Sequence, residues 1–219
     1  MADPVKRTYE SPRRRAQAAA TRRQILDAAQ RLFERNGYAA TTMAAIAQEA
    51  GVALKTVYVA FDTKAGVLRA LWHLLLRGDE ADVAVQDRAW YREVLEEPDP
   101  AARLRRTARS SRVVKERAGA LLQVIHAGAP VDEDIAALWS RIEDDFYENQ
   151  RAIVQTLADD GALRPELDVA RGADILWTLN HPDVWHLLVR VRGWTPAAWE
   201  AWFAETAAAQ LLAPSGAAR

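Results

Sequence analysis

The hydrophobic positions of this chain recur at helical spacing almost from end to end, and no stretch alternates as a half-buried strand does. The first stripe is Ile25, Ala28, Ala29, Leu32 and Phe33, with Arg22, Arg23, Arg31 and Arg35 left to solvent. It predicts a helix over about 21–36, stopped by Asn36-Gly37. A second, shorter helix over 42–50 carries Met43, Ile46, Ala47 and Ala50, with Thr41 or Thr42 as its cap, a role worth about 1 kcal/mol. Gly51 supplies the left-handed residue that ends it. A third helix places Leu54, Val57, Tyr58 and Phe61 on one arc and Lys55, Thr56, Val59 and Ala60 on the other. Asp62 is then read as the cap of a helix that begins near Lys64 and carries Val67, Leu68, Leu71, Trp72 and Leu75.

The helical pattern continues beyond this region. Residues 78–98 read as acidic and irregular, ending at Pro98 and Pro100. Helices are expected over 99–117 and 118–127, then a break at Gly128 and Pro130. A long helix over 132–159 has the stripe Ile135, Leu138, Trp139, Ile142, Phe146, Ile153 and Leu157, and Gly161 stops it. Another runs over 167–179, with Val169, Ala173, Leu176 and Trp177 in register. Pro182 suits the first position of the next helix and Asp183 complements its dipole; Val184, Leu187, Leu188 and Val191 form its stripe. The last helix begins near Thr195-Pro196 and carries Trp199, Trp202, Phe203 and Leu211. The fold class is all-α, with nine or ten helices and no sheet.

A short, half-buried helix with a basic and hydroxyl-bearing outer face suits the major groove of duplex DNA, which admits a helix of that width. Residues 42–61 therefore read as a helix-turn-helix. Lys55 and Thr56 are the expected base-edge readers, Lys55 being suited to guanine acceptors, and the Tyr58 hydroxyl can reach a phosphate. Leu54 and Val59 complete the set expected at DNA. The stretch TRRQILDAAQRLFERNGYAATT (21–42), the run G-V-x-x-x-T-V-Y-x-x-F from Gly51 to Phe61, and Lys64 resemble the DNA-binding region of the tetracycline-repressor (TetR) family of bacterial regulators.

The resemblance runs to about Leu68. It implies a three-helix domain over 21–66 and a helical effector-binding and dimerisation domain over 67–213. A disordered basic arm (1–20) and a disordered tail (214–219) flank them. It also implies that the Thr42 hydroxyl and neighbouring amides meet phosphate, adding the partial charge of a helix N-terminus, and that Lys64 clamps a phosphate. Arg13, Arg14 and Arg15 lie in the arm, where they can follow the backbone or enter a narrow minor groove. Two positions depart from the family pattern. Ala53 stands where a Ser cap is common, and Met43 stands where some members carry a polar base reader, so Met43 offers only apolar contact, as to a thymine methyl.

Charge changes the picture in the same direction. The net charge is −1, yet residues 1–64 carry 11 Lys and Arg against 6 Asp and Glu, while the remainder carries 18 against 24. A basic N-terminal portion on an acidic body fits a chain that offers one end to nucleic acid. There is no cysteine, hence no disulfide framework, thiolate metal site or thiol nucleophile. No apolar run reaches the roughly 18 residues needed to cross a membrane, and MADPVKRTYESPRRR lacks the apolar segment of a secretory signal, so a cytoplasmic location is expected.

One recognition helix per chain points to a homodimer, because successive major grooves on one face of the duplex lie about 34 Å apart. The resemblance implies that the last helices form a four-helix bundle across the two-fold axis, and Trp177, Trp199, Trp202 and Phe203 are the expected interface residues. It also implies a small-molecule pocket in the C-terminal domain. Trp72, Trp90, Arg109, His126, Trp139, Phe146, Trp177 and Asn180 are its candidates, with packing as the alternative for each. The expected ligand is mostly apolar or aromatic, and its expected effect is to release a repressor from a near-palindromic operator. An enzyme is the competing class: Asp183 and His186 lie three apart, a spacing for a metal pair, but no second pair accompanies them. No Gly-rich phosphate loop, G-x-S-x-G or H-E-x-x-H is present, so neither catalysis, a metal nor a cofactor is expected. A third class is a DNA-binding protein without an effector, which steep, sequence-independent salt dependence would reveal.

Overall fold

A computed structural model describes residues 12–77 and 88–214. Its helices are α1 (Pro12–Ala40), α2 (Met43–Glu49), α3 (Leu54–Phe61), α4 (Lys64–Arg77), α5 (Ala89–Leu95), α6 (Pro100–Gly128), α7 (Glu133–Asp159), α8 (Val169–Asn180), α9 (Pro182–Trp185) and α10 (Pro196–Leu211). Among the described residues there is no strand, only an isolated antiparallel bridge between Leu163 and Leu212. No helix among them is long and apolar enough to cross a membrane. The chain divides into two compact units, Met1–Leu71 and Trp72–Arg219, so the division falls within α4 rather than at the expected 66/67. Of the expected arm, residues 1–11 lie outside the described residues, as do 215–219 of the tail. Residues 12–20, expected to be disordered, form the first turns of α1.

In the first unit the core is Ile25, Ala28, Ala29, Phe33, Ile46, Val57, Val67 and Leu68, each fully buried. Gly37 ends the regular part of α1 at φ 74°, a backbone angle that L side chains rarely adopt. Of the two candidate threonines, Thr42 is the cap: its Oγ1 accepts from the Ala45 amide at 3.1 Å. Thr41 is buried instead and donates its hydroxyl to the Gly37 carbonyl at 2.8 Å, closing the end of α1. Asp62 does not cap α4. It is the C-cap of α3 at φ 65°, and Thr63 takes the role, its Oγ1 accepting from the Gly66 amide at 3.0 Å. Gly66 is buried, and glycine is required there because a Cβ at this position would lie 2.1 Å from the Phe61 carbonyl oxygen.

The second unit packs α10 along α6 and α8, and α8 against α7. Its core gathers Leu104, Ala108, Val154, Leu157, Leu176, Trp185, Trp199, Phe203 and Leu211. Trp199 and Phe203 stack with centroids 5.2 Å apart, and Trp185 meets Trp199 edge-on at 5.0 Å. Three expectations are corrected. The two helices expected over 99–127 are one, α6, since nothing near residue 118 stops a helix and a single interior glycine costs only about 1 kcal/mol. Part of the stretch read as irregular is helical: α5 buries Tyr91 and Val94, and the Tyr91 hydroxyl donates to the Asn149 carbonyl at 3.2 Å. Residues 78–87 of that stretch lie outside the described residues.

The third correction concerns the stripe after Pro182. Pro182 does begin α9, but the helix widens into π-type turns over His186–Val191. The wider turn shifts the register, so Trp185 points inward while Leu187 and Val191 are more than half exposed.

Replacing Gly66 by Ala forces the new methyl against the Phe61 carbonyl, between backbones that cannot both yield. We expect a loss of about 1–3 kcal/mol, as for other overpacked sites, seen as a lower thermal midpoint by circular dichroism; an unchanged midpoint would show that α3 and α4 are not held this closely.

A candidate nucleic-acid interface and a candidate ligand cavity

Seven or eight residues make too short a helix to persist alone, so α2 and α3 take their orientation from α1 and the turn between them. Gly51, at φ 65°, allows that turn. Gln24 on α1 donates to the Ala50 carbonyl at 2.7 Å, and Arg22 donates to the Ala60 carbonyl at 2.7 Å with its guanidinium 4.2 Å over the Phe61 ring. Arg31 pairs with Glu49 at 3.0 Å. Val57 and Phe61 are buried in α3, and this leaves Leu54, Lys55, Tyr58 and Val59 exposed and Thr56 half-buried. Leu54 and Tyr58 thus stand outside the arc on which their spacing placed them. Ala53, at the N-cap of α3, makes no side-chain cap bond.

Within the second unit lies a cavity of about 320 Å³, walled by Trp72, Trp90, Tyr91 and Phe146 with Val94, Leu122, Ile142 and Ile153. His73, Glu143, Asp145 and Glu148 also line it, and one hydrogen-bonded polar cluster enters it. Lys115, buried on α6, donates from Nζ to Asn180 Oδ1 at 2.6 Å. Asn180 Nδ2 donates at 3.0 Å both to Ser111 Oγ and to Gln150 Oε1, and Gln150 Nε2 donates to the Phe146 carbonyl at 3.2 Å. A backbone carbonyl can only accept, so it fixes the direction of every bond in this chain. The Asn180 oxygen must face the lysine. Lys115 Nζ also lies 4.9 Å from the Trp199 ring centre and 5.7 Å from that of Phe146. No carboxylate of the described residues pairs with it. Burial pushes its pKa down to about 7, and burial raises that of Tyr91 to about 12.

The model of the bacterial regulatory proteins of the tetR family matches residues 25–71, the span that holds α2, α3 and the anchors described above. A probable helix-turn-helix transcriptional regulator of Pseudomonas putida, ArpR, is 29% identical over 175 residues, covering 77% of this chain and 78% of the relative. The chain carries a DNA-binding region of the tetR family. It is a DNA-binding transcriptional regulator. Two solved structures share the fold. NalD of Pseudomonas aeruginosa, the secondary repressor of the MexAB-OprM multidrug efflux pump, aligns with a TM-score of 0.69 at 21% identity, over 91% of this chain and 99% of that one. The complex of SmeT with triclosan aligns with a TM-score of 0.67 at 18% identity, over 90% and 93%.

The positions read from sequence divide sharply. Thr42, Leu54, Lys55, Thr56, Tyr58 and Val59 lie at the surface of the first unit, whole or in part. Met43 does not: it is 7% exposed, turned into the core by the same register that leaves Ala44 outside, and it cannot touch a base. Lys64 is half-buried, donates to the Tyr38 carbonyl at 2.9 Å and lies 4.0 Å over the Tyr38 ring, so it ties the start of α4 to the end of α1. Arg13, Arg14 and Arg15 are exposed on a helix rather than carried on a flexible arm.

Of the pocket candidates, Trp72, Trp90, Phe146 and Asn180 line the cavity and Arg109, His126, Trp139 and Trp177 do not. Arg109 points to solvent. His126 stacks on Trp139 at 4.6 Å, and Trp177 packs on His181 at 4.8 Å. Lys115, Ser111 and Gln150 were missed; one signal for Lys115 was its place among the apolar positions of α6, between Val114 and Ala118. Among the expected interface residues, Trp199 and Phe203 are fully buried in their own chain, while Trp177 and Trp202 are partly exposed. Asp183 accepts from Gln123 at 3.2 Å, and among the described residues no three His, Asp or Glu side chains gather as a metal site would require.

The lowered Lys115 pKa carries a sign that can be tested. Below about pH 7 the folded chain holds a charged, buried lysine. From there to the unfolded value of 10.5 it sheds the proton that the unfolded chain keeps, so folding strengthens as pH rises. Relative to Lys115→Met, the wild-type thermal midpoint should therefore rise between pH 7 and 10 and run parallel below pH 6; a constant difference throughout would contradict the lowered value.

Proposed function

We propose that the protein is a repressor that binds a near-palindromic operator as a homodimer and leaves it when a small, mostly apolar molecule fills the cavity of the second unit. The observation that carries the DNA reading is the split of α3, in which Val57 and Phe61 are inside while Lys55, Thr56, Tyr58 and Val59 are outside. In the major groove, Lys55 donates to guanine O6 or N7 and Thr56 to a neighbouring base edge. Tyr58 and Thr42 fix the register on phosphates. The Thr42 Oγ1 spends a lone pair on its cap and still has a proton to donate. Arg13, Arg14 and Arg15 add phosphate attraction from the first turns of α1.

Pairing is supported by the apolar surface that the second unit leaves open. Leu187, Val191 and Trp194 are exposed, and the outward face of α10 is small and apolar at Ala197, Ala198, Ala201 and Ala209. The effector reading rests on the aromatic cavity, whose volume suits a small organic molecule. SmeT, which shares the fold, is solved with triclosan, an observation in the same direction. Release requires only that the ligand bind more tightly to the dimer whose recognition helices miss successive grooves, since differential affinity alone shifts such an equilibrium.

Selection of bound duplexes from a random pool tests the reading at once, and we expect two inverted half-sites about one helical turn apart. Lys55→Ala should then cost roughly 1–3 kcal/mol and relax one base position in each half-site; undiminished affinity would remove Lys55 from the readers. Lys64→Ala should weaken binding evenly over all sequences and lower the thermal midpoint of the first unit, whereas a loss confined to one base step would overturn its positioning role.

A further inference from the structure

Resting on the effector reading above, the chemistry of the cavity narrows what it takes. We propose that the ligand is an apolar, ring-bearing anion, an aryl carboxylate or phenolate, whose charged oxygen meets Lys115 Nζ at the buried end of the cavity. Lys115 is 5% exposed and lines the cavity, and it has a single hydrogen-bond acceptor among the described residues, Asn180 Oδ1. An ammonium carries three donors, so two of them have no acceptor. The other two side-chain oxygens of the cluster, Ser111 Oγ and Gln150 Oε1, accept from Asn180 Nδ2, and Asn180 Oδ1 is the one to which the lysine donates.

A buried cation with no counter-charge is costly, and the nearby Trp199 and Phe146 rings offset only part of that cost. An anionic oxygen would supply both the missing charge and the missing acceptors. The rest of the ligand would lie against Trp72, Trp90, Tyr91 and Phe146. The acidic residues of the cavity stand elsewhere: Asp145 and Glu148 are exposed, and Glu143 is held 3.5 Å from His181 Nε2. They mark the solvent end and set the orientation, with the anion inward.

The binding has a proton signature. Near pH 8 the empty protein holds Lys115 largely neutral, and fixing an anion beside it draws a proton in. The other titratable groups around the site are Tyr91, charged only far above this range, and His73, Glu143, Asp145 and Glu148 at its lining, while Glu200 of α10 is already paired with Arg112. A neutral ligand would leave the balance unchanged.

Titration calorimetry with naphthalene-2-carboxylate, its carboxamide and naphthalen-2-ylmethylammonium, at pH 6, 7 and 8 in two buffers of different ionisation enthalpy, tests this. The carboxylate should bind at pH 6 about tenfold or more tighter than the carboxamide, weaken toward pH 8 and take up close to one proton there. Lys115→Met should lose that preference and the proton uptake while keeping the carboxamide, which also shows that the variant is folded. A carboxamide or ammonium probe that binds wild type as tightly as the carboxylate overturns the anion assignment and leaves the cavity reading standing. Proton uptake that survives Lys115→Met overturns it as well. Failure of all three probes to bind wild type overturns the cavity reading and this inference together.

Discussion

An eight-residue helix has no stability of its own in water, where about 12–15 residues are needed before a helix is even marginal. The presentation of α3 therefore depends on two buried side chains, Val57 and Phe61, on Arg22 of α1 at its C-terminal end, and on Gln24, which holds the end of α2 before the turn. Their burial decides which way Lys55 and Thr56 face. A rotation of one position would turn the readers into the core and the anchors into solvent. The same constraint explains several features around it: Gly51 and Asp62 at positive φ to keep the connections short, and Gly66 where the α3 carbonyl passes too close for any side chain.

The second unit solves a different problem. Its core is built from large aromatic residues on α9 and α10 against the long α6 and α7, and large rings leave space as well as fill it. The cavity in this unit is walled by aromatic residues of α4, α5 and α7, and one connected polar cluster, Lys115, Asn180, Ser111 and Gln150, drawn from α6, α7 and α8, enters it away from the acidic residues of its lining. Since each amide in that cluster is oriented by the next, it acts as one rigid donor array anchored on a backbone carbonyl. The lysine at its end is the least satisfied polar group of the four, and its lowered pKa expresses the cost of its position. A cost of that kind is worth retaining where a ligand removes it.

Much of this was legible in the order of residues, and for identifiable reasons. Helical period, glycine stops and proline starts depend on local chemistry, so the limits of α7, the Gly37 stop, the turn at Gly51 and the start of α9 at Pro182 could be read directly. The pair α2 and α3 was legible because both helices are bounded by local signals and carry few residues. The errors at α2 and α3 have identifiable causes. Met43 was rightly set on a buried stripe by its spacing and set at DNA only by the resemblance. Leu54 and Tyr58 were placed by spacing alone, yet which of several residues on an arc is covered depends on the neighbour that arrives from α1 or α4. Leu187 and Val191 failed for a related reason, a widened turn that a constant period of 3.6 does not anticipate.

By itself, then, the order of amino acids determined an all-helical chain and a helix-turn-helix near its start, because these follow from period, capping and charge within a few turns. Only the tertiary structure decided that Thr42 rather than Thr41 is the cap, that Lys64 is bound to Tyr38, that Trp199 and Phe203 serve their own core, and that Lys115 faces a cavity with no carboxylate of the described residues paired to it. Each of those depends on groups distant along the chain brought within a few ångströms, where burial and unmet hydrogen bonds, rather than local propensity, set the energy.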